Sequence, residues 1–132
     1  HWIQKRQEIA QAYQDYFKDH PTIKTLQTHG NREHTYHLVV VVCADEKQRD
    51  SLYRHLREHQ VGVNVHYTPV HLQPFYQTNF NTGRGDCPTA EDLYDRILTL
   101  PVYPGLKSEA LNRVLGLVQM HDRASLNHPK VV

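Results

Sequence analysis

The chain has 132 residues, enough for one domain with its own hydrophobic core. Its 15 Lys and Arg nearly cancel its 14 Asp and Glu, leaving a formal charge of +1, and the basic residues are scattered. That balance argues against a nucleic-acid surface, and no apolar run reaches the length of a membrane helix.

Trp2, Ile3, Arg6, Ile9, Ala10, Tyr13 and Phe17 recur at helical spacing and predict a helix over 2–19. The polar run from Pro21 to Arg32 reads as a loop. Residues 35–43, TYHLVVVVC, predict a central strand covered on both faces, because Val39 to Val42 are β-branched and continuous. Asp45, with Gln48 three residues on, predicts a capped helix to about His59, with Leu52 and Leu56 inward. A short strand, VGVNV, is expected over 61–65, and the stretch 66–87 reads as a long irregular connection. Pro88 opens a helix through Ala90, Leu93, Tyr94 and Ile97. An extended segment with a third strand follows within 98–103. Ser108 is expected to cap a last helix carrying Leu111, Val114, Leu115 and Val118, and a loose tail follows from about 123. The order predicts a small two-layer α/β (α+β) domain with about three short strands and flanking helices.

Few residues form a recognisable chemical constellation. His34 and His37 would point to opposite faces of a strand, and no paired-Cys or HExxH motif accompanies the histidines, so no metal site is expected. Cys43 and Cys87 do not require a disulfide, and no signal peptide is visible, which suggests a reducing, cytoplasmic setting. Cys87 stands near a helix start, where it reads as incidental rather than nucleophilic. Gly83-Arg84-Gly85 reads as a surface turn with one cation. Glu91 and Asp92 read as favouring the positive end of their helix. The dense segment is VHYTPVHLQPFY, 65–76. Pro69 and Pro74 restrict its backbone, while His66, Tyr67, His71, Gln73 and Tyr76 supply donors, acceptors and flat faces. Such a strap suits either a ligand wall or an interface.

That segment, together with GDCPTAEDLYDRILTLPVYPGL, resembles the C-terminal part of the DegT/DnrJ/EryC1/StrS family of pyridoxal-phosphate-dependent sugar aminotransferases. The resemblance runs from the first helix through His34-Thr-Tyr-His37-Leu to the last helix. It implies the small domain of a fold-type I aminotransferase. It also implies a parent enzyme that moves an amino group from glutamate to a 4-keto-6-deoxy nucleotide sugar. The wording is nearest to enzymes using a UDP carrier, with GDP carriers as the alternative. The resemblance places the Schiff-base lysine, and most cofactor contacts, in a large N-terminal domain, and completes the site in a homodimer. The cofactor would be pyridoxal phosphate in the parent, with none bound by this chain alone. The chain opens on His1 rather than Met, in keeping with a piece of a longer protein. His66, Tyr67, His71 and His37 are then the expected substrate-binding residues. Pro69 and Pro74 shape the loop, and no residue of this chain is catalytic. Where the family often carries glycine, this chain has Gln60, so the turn there is expected to differ. The competing expectation is a stand-alone ligand-binding or protein-interaction domain with the same fold.

Overall fold

A computed structural model of the chain describes residues 1–26, 28, 30 and 32–126. Its elements run α1 (Trp2–Phe17), β1 (Lys24–Thr25), β2 (Val39–Val42), α2 (Glu46–Glu58), a 3-10 turn (Val70–Leu72), α3 (Pro74–Phe80), α4 (Pro88–Arg96), β3 (Ile97–Leu100) and α5 (Ser108–Leu126). The strands form one antiparallel sheet in the order β1-β2-β3. This is the small α/β domain expected, with β2 central.

Strand alternation sets the core. Val41 pairs with Leu98 and Val39 with Leu100, and all four are buried. Ile9, Ala10, Tyr13 and Phe17 of α1, Leu52 and Leu56 of α2, and Val114, Leu117 and Val118 of α5 join them in one cluster. Trp2 and Ile3, expected in the same stripe, are exposed. Tyr13 carries its hydroxyl into the core, where it donates to Pro101 O at 3.1 Å. Burial raises its pKa well above the ordinary phenol value, so it stays a donor.

β2 is not covered equally on both faces: Val40 and Val42 are only half-buried. A continuous valine run therefore misled, because here the second face is left partly open by the chain itself. The strand also starts later than expected, because Tyr36 has φ of 46° and breaks the pleat before Val39. The stretch 61–65 is not a strand. Val63 N bonds Val61 O and Asn64 Oδ1 takes Val65 N, so one bridge to Thr99 is left. Residues 66–87 are more ordered than expected. Pro74 sits in the first turn of α3, and Asn81 closes it at φ of 53°. β1, two residues paired to Val41 and Val42, falls where a loop was expected. Ile97 opens β3 rather than closing α4, and Ser108 is the first residue of α5 rather than its cap. The expected loose tail is helical to Leu126, and its remainder lies outside the described residues.

Both ends of α2 are closed by local chemistry. Asp45 accepts from Gln48 N at 2.8 Å, and Gln48 Oε1 accepts from Ala44 N at 2.9 Å. Asp45→Ala should cost about 1 kcal/mol, read as a shift in urea midpoint. At the other end, Gln60 N bonds Arg57 O and Val61 N bonds Leu56 O, both at 2.9 Å, a Schellman closure. Gln60 takes φ of 58°, so a left-handed position that favours glycine is filled here by glutamine. Gln60→Gly should therefore be neutral or stabilising by up to about 1 kcal/mol, whereas Gly for a residue inside α2 should destabilise by a similar amount.

Candidate functional site

The loop after Asn64 leaves the sheet beside β3. His66 is half-buried, and its Nδ1 lies 3.1 Å from the Thr99 hydroxyl, which anchors the loop to the sheet. The His66–Tyr67 peptide is cis, and the Tyr67 ring packs beside the His66 ring at 4.6 Å while remaining exposed. Thr68 donates from its hydroxyl to Tyr94 OH at 3.3 Å, and Gln73 Nε2 donates to Thr68 O. Pro69 precedes the 3-10 turn and Pro74 begins α3, so the two prolines bracket His71.

His71 is fixed from α4. Its Nε2 lies 2.8 Å from Glu91 Oε1, with both side chains largely buried. Glu91 also accepts from Gly85 N at 2.9 Å and from Cys87 N at 3.1 Å. The Gly85 amide, the Cys87 amide and His71 hold its pKa below the ordinary carboxylate value, against the opposing effect of burial. Thr82 Oγ1 donates to His71 O at 2.7 Å, closing the loop from its far side. Glu91 is thus the residue that sequence reasoning missed. It was read only as a helix-start charge, and the available signal was an acidic residue in the first turn after Cys87-Pro88. Its neighbour Asp92 instead pairs with Arg96 across one turn of α4.

Two ring nitrogens on this loop remain open. Neither His66 Nε2 nor His71 Nδ1 has a hydrogen-bond partner among the described residues, and neither is a buried unpaired atom, so both meet solvent. Tyr67 lies beside His66, and on the same loop Tyr67, Val70, Phe75 and Phe80 are exposed, each by 60% or more. An accepting or donating ring edge next to flat apolar faces can hold a ligand that is part polar and part planar.

His37 lies elsewhere. It lines a cavity of about 440 Å³ with His34, Arg32, Tyr36 and Gln14, and none of His66, Tyr67 or His71 reaches it. His34 and His37 were expected on opposite faces; the irregular backbone before Val39 puts both on this one cavity. Arg84, the cation of the glycine turn, is committed to Asp95 by two bonds at 2.9 and 2.7 Å. Cys87 is exposed and Cys43 buried, both free, with burial pushing the Cys43 thiol up to about 12. Among the described residues no group of three or more His, Cys, Asp or Glu is placed to hold a metal, and no helix is long and apolar enough to cross a membrane.

The profile of the DegT/DnrJ/EryC1/StrS aminotransferase family matches residues 1–119. The chain belongs to this family. It is 34% identical over 119 residues to the spore coat polysaccharide biosynthesis protein SpsC of Bacillus subtilis, covering 87% of this chain and 31% of SpsC. It is 38% identical over 119 residues to the erythromycin biosynthesis sensory transduction protein EryC1 of Saccharopolyspora erythraea, covering 89% of this chain and 31% of EryC1. Among solved structures, DesV of S. venezuelae, in complex with a ketimine intermediate, superposes with a TM-score of 0.81 at 29% identity, over 90% of this chain and 31% of DesV. The chain therefore spans about a third of the length of the relatives it matches.

The family depends on pyridoxal phosphate, and no described lysine of this chain has the surroundings that a Schiff base to it needs. A lysine that forms a Schiff base must be neutral, which takes a desolvated pocket or a cationic neighbour. Lys5, Lys18, Lys24, Lys47 and Lys107 are all exposed. Lys5 pairs with Glu8, and Lys24 donates to His20 O. Lys130 lies outside the described residues.

A separate histidine group joins α2 to α5. Ser51 Oγ lies 2.8 Å from His121 Nε2, and His55 Nε2 lies 3.1 Å from Leu117 O. Burial lowers the His121 pKa, His55 adds to this, and Asp122 opposes it. The unfolded chain therefore takes up this proton first as pH falls. Stability is full above the ordinary histidine value and is lost as pH drops from about 6.5 toward the lower folded value. The urea midpoint should fall between pH 7 and 5, and fall less in His121→Gln, which keeps a partner for Ser51.

Proposed function

We propose that this chain is the C-terminal small domain of a pyridoxal-phosphate-dependent sugar aminotransferase. In this reading, loop 66–87 forms the nucleotide-sugar side of the cleft. The observation that carries it is the pair of open ring nitrogens, His66 Nε2 and His71 Nδ1, on one anchored loop that also exposes aromatic rings. A sugar offers hydroxyls to such nitrogens, and a nucleotide offers phosphates and a flat base. Tyr67 contributes a face and a hydroxyl, and Pro69 and Pro74 hold the course of the loop. His37 enters as a second contact, made from the α1 side of the sheet.

The remaining two thirds of the enzyme supplies the large N-terminal domain, with the Schiff-base lysine and most cofactor contacts. The full protein works as a homodimer. Its donor is glutamate and its acceptor a UDP-linked 4-keto-6-deoxy sugar. Without the large domain the chain does not transaminate, and its uncovered apolar side chains, Trp2, Val70, Phe75 and Phe80, favour self-association. A strictly monomeric 1–132 polypeptide at high concentration would count against that last point.

The test uses the full-length protein with glutamate and UDP- or GDP-linked 4-keto-6-deoxy sugars, following the amino sugar by mass. His66→Ala, Tyr67→Ala and His71→Ala should each raise the sugar KM about tenfold, the loss of one hydrogen bond or ring contact, and leave the glutamate half-reaction intact. Unchanged sugar KM and kcat in all three variants would remove the loop from the cleft. Ligand binding by a natural 132-residue form without transamination would favour the stand-alone domain instead.

A further inference from the structure

Glu91 has more to do than begin a helix. An ionised carboxylate accepts hydrogen bonds only, and the two backbone amides and one imidazole nitrogen that face Glu91 favour that form. The atom facing it, His71 Nε2, must therefore carry the proton. In neutral imidazole that leaves Nδ1 with its lone pair, because the bond made by one ring nitrogen decides the state of the other. His71 Nδ1 meets solvent. The same carboxylate ties Gly85, at φ of 101°, and Cys87 to this point, so one group sets both the course of the loop and the chemistry of the imidazole.

We propose that Glu91 is the positioning residue of this loop: it fixes His71 as the Nε2–H tautomer and so presents Nδ1 as an acceptor for a hydrogen-bond donor of the ligand, a sugar hydroxyl. The inference rests on the reading of loop 66–87 as the sugar side of the cleft. It assigns Glu91 no contact with substrate or cofactor. It also separates the two histidines: His71 accepts from the ligand, whereas His66, bonded to a hydroxyl that can give or take, is not restricted in this way.

The test is made on the full-length enzyme with two variants and two readouts. Amide hydrogen exchange reports the tether through a peptide spanning 83–88, with the α2 peptide 46–58 as a control for global unfolding. Steady-state kinetics report the sugar KM and kcat, and the glutamate half-reaction is followed separately. Glu91→Gln should speed exchange in 83–88 several-fold, leave α2 unchanged and raise the sugar KM about tenfold with little change in kcat. His71→Gln keeps a donor toward Glu91 but has no acceptor where Nδ1 stood. It should raise the sugar KM similarly without changing exchange in 83–88. If His66→Ala raises the sugar KM while neither Glu91→Gln nor His71→Gln does, the inference fails and the cleft reading stands. If none of the three moves the sugar KM, the cleft reading fails and takes the inference with it. If Glu91→Gln leaves exchange in 83–88 unchanged, Glu91 is not the tether and the inference is overturned on structural grounds alone.

Discussion

Phe17→Ala should remove about 3–5 kcal/mol of folding stability, a large share of what a domain of this size possesses. Phe17 closes the last turn of α1 and is 1% exposed. Its ring meets Tyr16 edge-on at 5.0 Å and His20 at 5.5 Å. That neighbourhood is itself pinned: His20 Nδ1 accepts from Ile23 N at 3.0 Å, and its Nε2 lies 2.8 Å from Asp122 Oδ2 of α5. Walls held by hydrogen bonds collapse poorly into a vacated space, so the cavity cost adds to the lost burial. The denaturant midpoint at neutral pH, compared at equal m-value, measures the effect. Trp2→Ala is the control. It removes a larger side chain from the same helix, but one that is 72% exposed, and should change stability by less than about 0.5 kcal/mol. A Phe17 effect as small as the Trp2 effect would mean that α1 is not part of the core.

Val41→Asp should abolish cooperative folding at neutral pH. Val41 is fully buried at the middle of the central strand, between Thr25 of β1 and Leu98 of β3. A carboxylate there has no partner, and a buried unpaired charge is among the few single changes that cost more than about 4 kcal/mol. Burial raises the pKa of such a group, so acid should partly relieve the loss as the carboxyl takes up its proton. Val40→Thr, one residue away on the half-buried face, should cost about 1 kcal/mol. Circular dichroism and thermal melts of the pair test the alternation directly. Equal damage from both would show that the second face of β2 is as dry as the first.

The sequence by itself determined what depends on neighbours along the chain. The helical spacing of Ile9, Ala10, Tyr13 and Phe17 set the buried stripe of α1, and Asp45 with Gln48 set the start of α2. Pro88 set the start of α4, and the valine run set the central strand. The wording of 65–76 and 85–106 also carried the family, since the residues that shape a loop must lie on that loop. The tertiary structure alone decided what depends on residues that meet from different elements. β1 exists only because Val41 and Val42 offer it an edge, and 61–65 keeps a single bridge because its own turns consume its amides. His37 was expected with His66 and His71 but lines a cavity that neither of them reaches, because Tyr36 turns the backbone before the strand begins. Glu91 looked like one more acidic residue at a helix start. Its partners His71 and Gly85 are brought to it by the path of the intervening loop, and hydrogen bonds across such distances leave no periodic trace in a single sequence.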